Sequence, residues 1–156
     1  MRLTVAAVGR WKAGGTTGPE RGLFEHYARR IMFPFELKEV EEKKKLPPAV
    51  LKKREGELLL AKAPEGAVIV ALDEKAKPLT SAGLAKKLGA WRDDGVKDVV
   101  FMIGGADGLD GMVKKRAQLS LSFGAVTWPH LLTRGLLAEQ IYRAESILSG
   151  HPYHRE

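Results

Sequence analysis

Ala67-Val68-Ile69-Val70-Ala71-Leu72 is apolar at every position and runs directly into a polar turn over residues 73–77. A run this short, with none of the polar alternation of a half-solvated strand, fits a central strand of a parallel sheet covered on both faces. Residues 98–103 and 3–8 are nearly as apolar, interrupted by Asp98 and Thr4 respectively, and read as buried strands too. Amphipathic stretches lie between these runs: residues 19–31, with proline in the first turn, and residues 49–63, with Val50, Leu51, Leu58 and Leu59 available for burial. A third helix is capped by Thr80 or Ser81 and runs to about residue 92, before Asp93-Asp94-Gly95. Strands alternating with helices predict an α/β fold, a parallel sheet flanked by helices.

The remaining segments fit that plan. Residues 35–40 read as a half-buried strand with Phe35, Leu37 and, by the same alternation, Glu39 on one face. Residues 14–18, Gly-Gly-Thr-Thr-Gly, read as a flexible loop, and residues 112–117 as a short helix. Residues 119–126 are ambiguous and read best as a strand ending in a loop. Pro129 starts a long final helix in which Leu132, Leu136, Ile141 and Leu148 face the core while Arg134, Glu139 and Arg143 stay polar. With no internal repeat and no linker, residues 1–156 are expected to form one domain.

The chain has no cysteine, which removes thiol nucleophiles, zinc-thiolate sites and disulfides together and suits a reducing compartment. Its opening apolar run is too short for a membrane span and lacks a signal-peptide cleavage pattern, so the cytoplasm is the expected location and no membrane partner is expected. Lys and Arg number 26 against 19 Asp and Glu, a formal charge of +7 that favours polyanionic partners. Lys43, Lys44, Lys45, Lys52, Lys53 and Arg54 fall in a stretch with no acidic residue. From charge alone, that stretch fits a solvated surface and a phosphate-contacting patch equally well.

Several motifs carry side chains or backbone suited to chemistry. Gly104-Gly105-Ala106-Asp107-Gly108 follows a strand, where glycines let backbone approach a ligand, yet it is neither a dinucleotide fingerprint nor a P-loop. A nicotinamide oxidoreductase is therefore remote. The histidines are His26, His130, His151 and His154, and their spacing matches no zinc site, so no metal is expected. No serine sits in a nucleophile elbow. Locally, Thr127-Trp128-Pro129-His130 reads as a hydrophobic staple before a Pro-started helix, and Glu139, Tyr142 and Arg143 as helix-surface pairs. The ending His151-Pro152-Tyr153-His154-Arg155-Glu156 crowds two imidazoles, a phenol and a guanidinium where chain ends usually fray.

In order, the blocks Ile103-Gly104-Gly105-x-x-Gly108, Leu119-Ser120-Leu121-Ser122, Thr127-x-Pro129-His130-x-Leu132-x-Arg134, Glu139-Gln140-x-Tyr142-Arg143-Ala144 and Tyr153-His154-Arg155-Glu156 form a set. The set resembles the RlmH family of ribosomal RNA methyltransferases in the SPOUT superfamily. One departure is Ala76, where the family tends to have glycine in the turn after Leu72-Asp73.

The resemblance implies a SPOUT-type parallel sheet with a C-terminal deep trefoil knot, a homodimer, and S-adenosyl-L-methionine as cofactor. It implies methylation of N3 of a pseudouridine in helix 69 of 23S rRNA on the assembled 70S ribosome. The alternatives are a SPOUT enzyme acting on another RNA, such as tRNA, and a non-catalytic RNA-binding relative. Carried onto this chain, the cofactor positions are Leu72, Gly104, Phe123, Gly124, Ala125, Val126, Thr127 and Trp128. Side-chain chemistry then makes His154 or Tyr153 the base or proton relay and Arg155 the partner of the anionic base or of a phosphate. The basic stretch, with Lys114, Lys115 and Arg116, becomes an expected rRNA contact.

Overall fold

The structure, a computed structural model, describes residues 1–11 and 18–155. Most of the loop expected at residues 14–18 therefore lies outside the described residues. The elements follow in the order β1 (Arg2–Val8), α1 (Pro19–Ala28), β2 (Phe35–Val40), α2 (Pro48–Leu60) and β3 (Val68–Leu72). Next come α3 (Ser81–Asp93), β4 (Asp98–Ile103), α4 (Gly111–Arg116), β5 (Leu119–Leu121) and α5 (His130–Ser149). The five strands make one parallel sheet in the order β2-β1-β4-β3-β5.

Alternation along the strands divides the core in two. Leu3, Val5 and Ala7 of β1, Val70 of β3 and Val99, Phe101 and Ile103 of β4 pack with Leu84 and Leu88 of α3 and Leu137 and Ile141 of α5. Ala6, Ile69, Ala71, Val100 and Met102 face the other way, onto Leu59 of α2 and Val113 of α4. Burial on both faces is the physical reason these strands carry unbroken apolar runs. Because every strand is parallel, all five carboxyl ends emerge along one edge, where ligands of open α/β sheets bind.

Helix ends follow local chemistry. The Thr80 hydroxyl accepts a 3.0 Å bond from the Gly83 N–H and caps α3, a contact of about 1 kcal/mol. Proline opens α1 and α2. Helix α1 stops three residues short of the expected end, at Ala28. At the far end of α5, Gly150 takes the left-handed conformation (φ 72°) and the His151 N–H bonds the Ser146 carbonyl at 2.9 Å. That turn folds the tail back along the helix.

Two expectations about burial are corrected. Val50 is exposed, and α2 buries Glu55, Gly56 and Leu59. Arg134 is the largest fully buried side chain, whereas Leu132 and Leu136 are only half-buried. The Arg134 guanidinium bonds Glu39 at 2.8 Å and the carbonyls of Val8 and Gly9 at 3.2 and 2.9 Å. It also lies 4.5 Å from the centre of the Trp11 ring. Glu39, on the Phe35 face of β2 as alternation required, thus supplies the charge that makes a buried arginine tolerable.

Candidate active site

The carboxyl ends of β3, β4 and β5 open onto a hollow of about 560 Å³. Leu72, Ile103, Leu109, Leu121 and Phe123 give it apolar walls, and the backbone of residues 104–108 forms another side. Of the positions expected to hold a cofactor, Leu72, Gly104, Phe123, Gly124, Val126, Thr127 and Trp128 line this hollow. Ala125 sits exposed on the same loop and is not among the lining residues. Asp73, Glu74, Lys52, Lys114 and His130 also line it, beyond the cofactor positions the resemblance implies.

The glycines act differently from one another. A Cβ on Gly104 would lie 2.5 Å from the carbonyl carbon of Gly108, so Gly104 is required by the loop's own closure, which an isolated Gly105–Gly108 bridge completes. A Cβ on Gly105 would meet the Glu55 carboxylate at 2.6 Å. Gly108 and Gly124 have positive φ, 78° and 103°, with open space where a Cβ would project. Both line the hollow, leaving backbone that a bound group can approach closely.

Charge around the rim is arranged. Burial raises the Asp73 carboxyl, but the Lys114 ammonium at 3.0 Å and the Lys75 N–H outweigh it and hold the group below its usual range. Burial pushes the Glu55 carboxyl up, with Asp107 adding to the effect. Burial and the neighbouring Arg134 lower His130, which favours its neutral form. The loop after β5 is tied down by Ser122, whose hydroxyl donates to the Glu74 carbonyl at 3.2 Å and accepts from the Gly124 N–H at 3.1 Å. Thr127 donates to Glu74 at 3.0 Å and the Trp128 indole N–H to the Phe123 carbonyl at 3.3 Å.

Apolar walls, accessible backbone at two glycines, and carboxylates beside the mouth are the donor set a nucleoside with a cationic side arm needs. S-adenosyl-L-methionine fits that set.

A second hollow of about 680 Å³ lies across the loop, and Phe123, Gly124 and Trp128 line both. Its far side is formed by Tyr27, Glu139, Gln140, Arg143 and Tyr153. The Tyr153 ring packs 4.7 Å from that of Tyr142, and its hydroxyl donates to Glu139 Oε1 at 3.0 Å. Burial, the Tyr27 hydroxyl and the Glu139 carboxylate push the phenol well above its ordinary value. His154 Nδ1 lies 3.2 Å from Arg143 Nη1, and Arg155 is exposed. The Glu139–Arg143 pair is thus more than surface decoration: it anchors the tail. Sequence periodicity places the two one turn apart but gives no sign of the returning chain.

No group of three or more potential metal-ligating side chains stands together among the described residues, and no helix among them is long and apolar enough to cross a membrane.

A family model described as "Predicted SPOUT methyltransferase" matches residues 1–154, which makes this sheet, hollow and loop those of a methyltransferase of the SPOUT class. A solved "probable methylase family protein" from Haemophilus influenzae, only 10% identical, shares the fold at a TM-score of 0.59 over 99% of this chain and 70% of that one. The chain belongs to the ribosomal RNA large subunit methyltransferase H family. It is 59% identical over 155 residues to the protein of that name from Paramagnetospirillum magneticum, covering 99% of each chain. The Rhodospirillum centenum and Rhodospirillum rubrum proteins of that name are 55% and 51% identical over the same length and coverage.

Proposed function

We propose that this chain transfers a methyl group from S-adenosyl-L-methionine to N3 of a pseudouridine in helix 69 of 23S rRNA, on the assembled ribosome and in the cytoplasm. The observation that carries the reading is the single loop, Phe123, Gly124 and Trp128, that lines both the glycine-bordered hollow and the hollow holding the tail. Hollows that share these residues adjoin one another, as a donor and an acceptor in direct transfer must. The chain's relatives are named for ribosomal RNA methylation, which supports the substrate class.

In this reading Leu72, Gly104, Phe123, Gly124, Val126, Thr127 and Trp128 hold the cofactor, with Ala125 shaping their loop. The bound sulfonium supplies an activated methyl group without a metal. The protein's part is to orient the acceptor and remove its imide proton. Tyr153 keeps its own proton on Glu139 and positions the tail as a donor, which leaves His154 to accept the N3 proton. Arg155, exposed, meets an RNA phosphate, as do the exposed Lys43, Lys44, Lys45, Lys53, Lys115 and Arg116.

The same reading includes a deep trefoil knot formed by the segment that carries α5, and a homodimer. Support for the dimer is local: Val126 and Trp128 are 59% and 41% exposed beside the two hollows, an apolar surface that a second copy would cover.

Mass spectrometry of 23S rRNA from a strain lacking the gene tests the proposal. Loss of the helix 69 methyl group is expected, and its persistence would overturn the reading.

A further inference from the structure

Arg143 is the best-prepared cation in the second hollow. Its Nε and Nη2 donate to Glu139 Oε1 at 2.9 and 2.6 Å, and its Nη1 donates to His154 Nδ1 at 3.2 Å. A guanidinium has five N–H groups in a rigid fork. These contacts engage one on each nitrogen, so the other Nη1 and Nη2 hydrogens have no partner among the described residues. The side chain is 26% exposed and lines the hollow. It is immobilised on one edge and unspent on another.

Neighbouring groups are committed elsewhere. Glu139 Oε1 accepts from Tyr153 and twice from Arg143, and Oε2 accepts from Gln140 at 2.6 Å. The Gln140 carbonyl accepts from Ser81 at 2.7 Å. The ionisable groups facing Arg143 are Glu139 on α5, Tyr153 and His154 in the tail, and Tyr27 on α1. Since a guanidinium only donates, His154 Nδ1 must bear a lone pair.

We propose, resting on the function above, that the second hollow is the pocket for the acceptor base and that Arg143 is the catalytic cation holding that base as its N3-deprotonated imide. An imide that loses its proton spreads negative charge over N3 and its two flanking carbonyl oxygens. The two free N–H groups cannot deprotonate and can both donate to one of those carbonyl oxygens, which leaves the N3 lone pair open to the methyl group. The N3–H bond breaks and its proton passes to His154 Nδ1, which gives up the Arg143 Nη1–H bond it accepted, while the two free Arg143 N–H groups stay on the imide oxygen. The electron pair left on N3 forms the N–CH3 bond while the sulfonium C–S bond breaks, its electrons remaining on sulfur as a thioether. The methylated base is neutral, so Arg143 loses its hold on the product, and His154 returns its proton to solvent.

The test needs no RNA. 6-Azauridine has an imide acidic enough to ionise near neutral pH, and its absorbance reports the ionisation. Titrated across neutral pH with the full chain and S-adenosylhomocysteine, it should bind as the anion about tenfold more tightly than as the neutral form. Arg143→Gln should abolish that preference with cofactor affinity unchanged, and Arg143→Lys should keep part of it, which guards against a folding defect. On ribosomes, Arg143→Gln should lower kcat about 100-fold with the cofactor KM unmoved. No preference for the anion, an equal preference in Arg143→Gln, or parallel loss of cofactor affinity would each overturn the proposal. Ribosomes left unmethylated by the wild-type chain would sink the substrate reading instead, while the azauridine result still decides the pocket.

Discussion

The Tyr153 hydroxyl reaches back 14 residues to donate to Glu139 at 3.0 Å, and that bond turns a chain end into part of a site. Tyr153→Phe should loosen the tail, at a cost of about 1 kcal/mol in unfolding free energy and a larger fall in methyl transfer. Matched denaturant titrations and rate assays would check both. Equal rates in the two proteins would separate the bond from function.

The same phenol makes stability depend on pH in a stated direction. Its pKa in the folded chain is raised above the ordinary 10.0, so the protonated form is favoured by folding. That contribution is complete below about pH 10 and is lost as pH rises through the folded value. Unfolding free energy should therefore fall more steeply above pH 10 in the wild type than in Tyr153→Phe. Superimposable curves would contradict the placement of the phenol.

Removing Arg134 should be among the most damaging single changes. Arg134→Ala leaves Glu39 without its buried partner and frees the Val8 and Gly9 carbonyls, which should cost about 3–5 kcal/mol. Chemical denaturation measures this directly. The double variant Arg134→Met, Glu39→Gln should recover much of the loss, because neither partner is then an unpaired charge.

Two glycines of one loop should respond differently. A methyl on Gly104 meets the Gly108 backbone at 2.5 Å, so Gly104→Ala must displace the loop and should weaken cofactor binding by at least about tenfold. Gly108→Ala meets open space but must hold φ at 78°, a strain of about 1 kcal/mol. Calorimetry with S-adenosyl-L-methionine would rank them.

Legibility in the sequence followed locality. Residues 35–40 and 98–103 matched β2 and β4 to the residue, because alternation and continuous apolar runs are properties of the segment itself. The α3 cap falls on Thr80, one of the two adjacent hydroxyl residues the sequence offers for it. Arg134 reads as polar surface in the sequence because the residue that neutralises it lies 95 positions away, and helical periodicity treats any arginine as solvated. Gly104 reads as a point of ligand approach and lines the hollow, while its tightest constraint is the backbone of Gly108, a closure no spacing rule reveals. Arg143 and Glu139 were legible as a pair but not as the anchor of the tail, since that needs the turn at Gly150.

The most direct measurement is methyl transfer by the purified chain, with labelled S-adenosyl-L-methionine, to ribosomes from a strain lacking the gene, followed by mass spectrometry of helix 69. The expected result is one labelled methyl on N3 of a pseudouridine, with the label absent when His154→Ala replaces the wild type. Label on another RNA, at another atom, or nowhere would contradict it.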